Sequence, residues 1–109
     1  YFLRRIKYEY DSKIPIYVTE NGMANRDQIN IKNEILDEDR IEYFQLHLDE
    51  LSKCLKEKIS LKGYFAWSLL DNYEWSFGYE KRFGLVHINY ENFKRTPKSS
   101  YYQFKKYLN

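Results

Sequence analysis

The sequence predicts an α/β chain in which parallel strands alternate with helices. Three observations carry that expectation. Two short apolar, β-branched runs, at 14–19 and 59–68, read as strands; apolar residues around them recur at helical spacing; and the order is helix, strand, helix, strand, helix. Such alternation implies βαβ units with right-handed crossovers. Two parallel strands do not make a stable sheet by themselves. The sequence therefore asks for more strands than it contains, in a larger barrel or open sheet.

Taken in order, residues 1–10 read as the tail of a helix, with Leu3, Ile6 and Tyr10 on one side and Arg4, Arg5, Lys7 and Glu9 elsewhere. Asp11-Ser12-Lys13 is a polar turn. Ile14 to Thr19, Ile-Pro-Ile-Tyr-Val-Thr, suits a buried parallel strand, with Pro15 at its start where no ladder donor is needed. The strand runs out at Glu20-Asn21-Gly22, and Met23 to Leu36 is a polar loop. A helix begins between Asp37 and Asp39, where Asp39 with Glu42 fits a capping box; Ile41, Phe44, Leu48, Leu51 and Leu55 give it one apolar stripe.

Ile59 to Ser68 reads as the second strand, followed by a long loop from Leu69 to Arg82 and a short extended piece at 83–89. Thr96 as N-cap and Pro97 at the first helical position open a last helix, whose buried side is Tyr101, Phe104 and Leu108. Both long loops follow the C-terminal ends of strands, where α/β folds place their sites.

Composition excludes several function classes. With 109 residues the chain suits one small domain. Basic and acidic residues number 18 and 16, and no basic stripe concentrates them, so nucleic acid is not an expected partner. Cys54 is the single cysteine; it makes no internal disulfide and supplies no metal cluster. No apolar run approaches the roughly 18 residues of a membrane span. Aromatic content is high, 19% with twelve Tyr, which suits either a core or the stacking floor of a sugar or base site. The chain starts at Tyr1 without Met or a signal-like segment, and the expectation is that a true N-terminal part precedes it.

Three constellations carry chemistry. In Tyr17-Val18-Thr19-Glu20-Asn21-Gly22 a strand end aims an acid at the mouth of the sheet; the plainer reading is a turn carboxylate with Asn-Gly supplying positive φ. Phe65 to Trp75 places two Trp, two acids and an Asn in a loop after a strand. An indole face stacks on the apolar face of a pyranose and a carboxylate accepts two hydroxyls; the plainer reading is an aromatic packing cluster with Asp71 capping a turn. Around Gly78 to Leu85 and Arg95 to Ser100, the residues Lys81, Arg82, Lys94, Arg95 and Lys98 read as a solvated basic surface.

In series, Val-Thr-Glu-Asn-Gly, Ala-Trp-Ser-Leu-Leu-Asp-Asn-Tyr-Glu-Trp, Lys-Arg-Phe-Gly-Leu and Arg-Thr-Pro-Lys-Ser-Ser resemble the β-glycosidases of glycoside hydrolase family 1 in order and approximate spacing, over Ile14 to Leu108. The resemblance implies a (β/α)8 TIM barrel of which residues 1–109 are the C-terminal portion, its last two strands and their helices. It implies that Glu20 is the catalytic nucleophile. It implies that Trp67 is the stacking platform below the sugar, that Glu74 grips hydroxyls at the far edge of the glycone, that Trp75 donates to a neighbouring hydroxyl, and that Phe83 is an aromatic wall. It also implies a non-proline cis peptide after Trp67.

The implied reaction is hydrolysis of terminal β-glycosides with retention, through a covalent glycosyl-enzyme. A second carboxyl group about 5–5.5 Å from the nucleophile acts as acid and base. In the family it lies on a Thr-x-Asn-Glu-Pro segment, which this sequence lacks. The implied partners are a β-glycoside substrate and the N-terminal remainder of the barrel; no cofactor and no metal are implied. Glu74 favours a neutral glycone and leaves glucose, galactose and fucose open. The alternative is a carbohydrate-binding or structural fragment, inactive without its complement. One Cys and no Asn-x-Ser/Thr sequon lean towards a cytoplasmic protein.

Overall fold

The computed structural model describes residues 1–10 and 13–108. Asp11 and Ser12 of the expected polar turn lie outside the described residues. The chain opens with helix α1 (Phe2–Arg5), continued by one wide π-type stretch, Ile6–Tyr10, and none of these residues is buried. Of the expected apolar side, Leu3 and Ile6 are half-buried, Leu3 lining a cavity with Val18, Leu51 and Cys54, while Tyr10 is exposed. A polar contact also holds α1: the Arg4 guanidinium forks onto the Glu57 carboxylate, Nη2–Oε1 2.7 Å and Nε–Oε2 2.9 Å.

Strands β1 (Ile16–Asn21) and β2 (Leu61–Ala66) pair in parallel, with Ile16 opposite Leu61 and Val18 opposite Tyr64. Helix α2 (Glu38–Lys56) makes the crossover between them. Phe44 is its buried anchor, with Leu48 and Leu51 half-buried. At the C-terminal end the packing face swings to Cys54, which lines a cavity with Leu51 and Val18, and Leu55 is left exposed. The expected capping box is not formed: Asp39 is inside the helix and Asp37 is the N-cap. Asp37 turns its carboxylate outward to Arg40 and to Ser100, whose N–H donates to Oδ1 at 2.9 Å.

A further departure from expectation lies in the last third. Val86–Ile88 (β3) and Arg95–Pro97 (β4) form an antiparallel hairpin with Val86 opposite Pro97. Thr96 and Pro97 are therefore strand residues and do not open a helix. Pro97 is tolerated because β4 is an edge strand. Helix α3 (Ser99–Lys105) starts after an extended Lys98, and its early N–H groups are satisfied from outside, Ser99 N by the Ile35 carbonyl at 3.0 Å and Ser100 N by Asp37. Phe104 packs edge-on to Phe44 with ring centres 5.2 Å apart, closing α2 on α3. Leu108, expected on the buried side, is 73% exposed.

The molecule is a slab of 49 × 30 × 19 Å with a radius of gyration of 16.1 Å. A compact chain of this length has a radius near 13 Å. The reason is visible on β1 and β2: one face packs on α2 and α3, and the other presents Tyr17 and Phe65 at 55% and 58% exposure. A parallel sheet is normally covered on both faces.

Candidate active site

The C-terminal ends of β1 and β2 carry Glu20 and Trp67, and the segment with Phe83 is bonded to them. Asn21 pairs with Ala66, so three residue steps on β1 from Val18 match two steps on β2 from Tyr64. One extra residue sits in β1, a β-bulge. Val18 and Asn21 both face α2, lining one cavity with Tyr64. The bulge between them leaves Thr19 and Glu20 exposed on the side away from α2. Strict alternation would have put Glu20 on the same face as Val18, under the helix. Glu20 lies within the strand and not beyond it. Neither Asn21 nor Gly22 has positive φ, so the Asn-Gly pair is not the turn that the plainer reading expected.

Asn21 fixes this strand end. Its Nδ2 donates to the Tyr43 hydroxyl at 3.0 Å, and the Tyr64 hydroxyl donates to its Oδ1 at 2.6 Å. Burial pushes the Tyr64 hydroxyl well above the usual phenol range, so it remains a donor. The backbone continues the junction. Trp67 N–H donates to the Asn21 carbonyl at 2.7 Å, and Ser68 N–H to the Phe83 carbonyl at 3.2 Å. Glu20, Trp67 and Phe83 thus lie on three segments tied by consecutive main-chain bonds. The Trp67–Ser68 peptide is cis.

Glu74 and Trp75 sit on a tight turn. Glu74 N–H donates to the Gly78 carbonyl at 2.7 Å and Phe77 N–H to the Glu74 carbonyl at 2.8 Å. Gly78 has φ of 55°, a conformation glycine adopts without a steric penalty. Trp75 also has positive φ, 40°, and is 82% exposed, so this turn holds a bulky side chain outward in a backbone conformation rare for it. Among the described residues the carboxylates of Glu20 and Glu74 have no ion pair or hydrogen-bond partner, which leaves their lone pairs available to a ligand.

Under these loops lies a set of buried charges that sequence reading placed at the surface or did not single out. Lys98 is fully buried; its Nζ donates to Asp71 Oδ1 at 2.8 Å and to Asp27 Oδ2 at 2.5 Å. Arg40, also fully buried, meets Asp27 with a fork of 3.1 and 2.9 Å, pairs with Asp37, and donates to the Arg82 carbonyl at 2.8 Å. Burial by itself would pull the Arg40 guanidinium down; the bonds and charges of Asp27 and Asp37 outweigh it and raise it. Arg82 pairs with Asp71 Oδ2 at 2.7 Å. The reading of Arg82 and Lys98 as solvated surface is thereby overturned. Three cations face three carboxylates, which is what lets them leave water. Asp71 does more than cap a turn: it also accepts from Gly84 N–H at 2.9 Å, beside Phe83. No local pattern marks Asp27 or Lys98, because each is paired across the fold.

The whole chain, residues 1–109, matches the family described as glycosyl hydrolase family 1. It is 48% identical over 97 residues to "Beta-glucosidase 42" of Arabidopsis thaliana, covering 86% of this chain and 20% of that protein. It is 43% identical over 104 residues to a "6-phospho-beta-galactosidase" of Leptotrichia buccalis, covering 95% and 22%. It is 42% identical over 104 residues to "Beta-glucosidase A" of Thermotoga maritima, covering 95% and 23%. Among solved structures, the Thermotoga maritima β-glucosidase in complex with azafagomine superposes with a TM-score of 0.94 at 41% identity, over 98% of this chain and 24% of that one. The chain thus spans about a fifth to a quarter of the relatives it matches.

Proposed function

The chain belongs to glycosyl hydrolase family 1, and from that premise we propose that it supplies the nucleophile and part of the glycone subsite of a retaining β-glycosidase. The observation that carries this is the bulge at the end of β1, which turns Glu20 away from α2 and leaves its carboxylate unpaired beside the Trp67 junction. In this reading β1 and β2 are the last two strands of the barrel. Their exposed face, with Tyr17 and Phe65, belongs to the barrel interior, and the earlier strands close it.

Glu20, ionised, attacks the anomeric carbon and expels the aglycone oxygen, forming a glycosyl ester. A second carboxyl group, about 5–5.5 Å away, protonates that oxygen and then deprotonates the water that cleaves the ester. That group lies on the remainder of the barrel. Glu74 is held on a separate turn with Trp75, an arrangement suited to a bidentate grip on sugar hydroxyls with an indole N–H beside it. Trp67 offers the stacking face and Phe83 the wall.

The test uses a complete barrel in which these residues replace the aligned quarter of the Thermotoga β-glucosidase A. A 2-deoxy-2-fluoro aryl β-glucoside should trap a covalent adduct, and peptide mass spectrometry should find it on Glu20. An adduct on another residue, or turnover with inversion, would sink the reading.

The Leptotrichia relative's name raises a second reading, a 6-phosphorylated glycone. The unpaired Glu74 carboxylate argues against it, since a phosphate there would meet a like charge. Comparing aryl β-glucoside with aryl 6-phospho-β-galactoside in the same barrel decides between them.

A further inference from the structure

We propose that Lys98 is a positioning residue that sets the Glu20 loop and the Glu74 loop at a fixed separation, and so governs selectivity for the outer edge of the sugar; the inference rests on the glycosidase reading above. Lys98 touches neither site residue. Its Nζ lies between two carboxylates, one on each loop. Asp27 follows Glu20 in the loop after β1, and Asp71 precedes Glu74 in the loop after β2. All three side chains are essentially withdrawn from solvent, at 0–1% exposure.

Each carboxylate is in turn locked to its own loop. Asp27 holds Arg40, which reaches back to the Met23 carbonyl at 3.4 Å, just past the bulged strand end. Asp71 accepts from Gly84 N–H at 2.9 Å, next to the Phe83 wall, and pairs with Arg82. The main chains also meet: Asn25 N–H donates to the Arg82 carbonyl at 3.0 Å and Arg82 N–H to the Asn25 carbonyl at 2.9 Å. Lys98 is the one cation that bonds both Asp27 and Asp71 among the described residues. Without it, two buried carboxylates no farther apart than two hydrogen bonds would repel, and the loops they anchor would separate.

A shift of this kind should not act equally on all substrates. Widening the gap between Glu20 and Glu74 weakens the grip on the outer hydroxyls while leaving the attack on the anomeric carbon less affected. The informative pair is therefore an aryl β-glucoside and the matching aryl β-xyloside, which lacks the exocyclic hydroxymethyl group. In the complete barrel, Lys98→Met should lower kcat/KM for the glucoside on the order of 10²-fold. It should lower the glucoside-to-xyloside ratio about tenfold. Loss of folded protein alone scales both substrates equally, so an unchanged ratio with both rates falling in step overturns the proposal. Should Lys98→Met fail to fold, Asp27→Asn is read in the same way: it removes one charge and leaves one acceptor oxygen where Arg40 and Lys98 now share two. A falling ratio supports the proposal and a constant one overturns it. If the unsubstituted barrel hydrolyses neither substrate, the glycosidase reading itself fails, an outcome distinct from an unchanged ratio in an active barrel.

Discussion

The carbonyl oxygen of Trp67 lies against Gly22 so closely that a Cβ on residue 22 would sit 1.7 Å from it. The nearest neighbour is backbone, so no side chain can swing aside. Gly22 follows the strand end that carries Glu20, and Trp67 follows the other, so this contact sets how near the two segments approach. Gly22→Ala should therefore separate them. The expected cost is at least about 1–3 kcal/mol, typical of overpacking at a rigid contact. Urea unfolding of the complete barrel measures it, and a loss below about 0.5 kcal/mol would mean that the approach is softer than described.

Glu20→Gln should abolish turnover and spare binding. The substitution keeps size and one acceptor oxygen but removes the negative charge that makes the carboxylate a nucleophile. A fall in kcat on the order of 10⁴-fold or more is expected, as for deletion of a nucleophile in other covalent hydrolases. Calorimetric titration with a sugar-shaped inhibitor should show affinity largely kept. Residual activity at a tenth of the original would point to another nucleophile.

Arg40→Met should be among the most damaging single changes. Arg40 is fully buried and pairs with Asp27 and Asp37, and its loss leaves Asp27 with Lys98 alone and Asp37 with only the neutral donors of Ser100. Breaking such a pair costs about 3–5 kcal/mol. Chemical denaturation of the complete barrel reads this directly. A change within about 0.5 kcal/mol would show that water reaches the cluster.

His87 gives stability a pH dependence of known sign. Burial and then the Arg82 charge hold its imidazole below the ordinary value of 6.5, and its Nδ1 has no hydrogen-bond partner among the described residues. Above that value both folded and unfolded chains carry it neutral. As pH falls through it, the unfolded chain takes up a proton that the folded one resists, so stability is lost on the acid side. Between about pH 7.5 and pH 5.5, the unsubstituted barrel should lose more stability than His87→Gln. Parallel curves would exclude His87 as the source.

The 109-residue chain alone should hydrolyse no aryl β-glucoside. In the proposed mechanism the second carboxyl group lies outside these residues, and among the described residues the β1–β2 sheet has an exposed apolar face and two unpaired edges. Such edges favour association between copies. Light scattering should find aggregates, and a complementary N-terminal segment should suppress them at micromolar concentration. Measurable turnover by the pure chain would contradict the division of the site.

The strands and the long crossover helix were legible in the sequence because each is a local pattern: β-branched runs for β1 and β2, a helical stripe for α2. The family was legible through four short motifs in series. The β3–β4 hairpin was hidden because Thr-Pro is a good helix opening by its own chemistry. Only pairing with Val86 and His87 makes it a strand.

The sequence by itself therefore determined the two parallel strands, the crossover helix between them, and the family the chain belongs to. The tertiary structure decided two things that local pattern does not encode. One is the bulge that turns Glu20 away from α2, since register depends on the partner strand. The other is the burial of Lys98, whose carboxylates lie 71 and 27 residues away along the chain. A lysine leaves water only where opposite charges are already waiting, and their positions are a property of the folded chain.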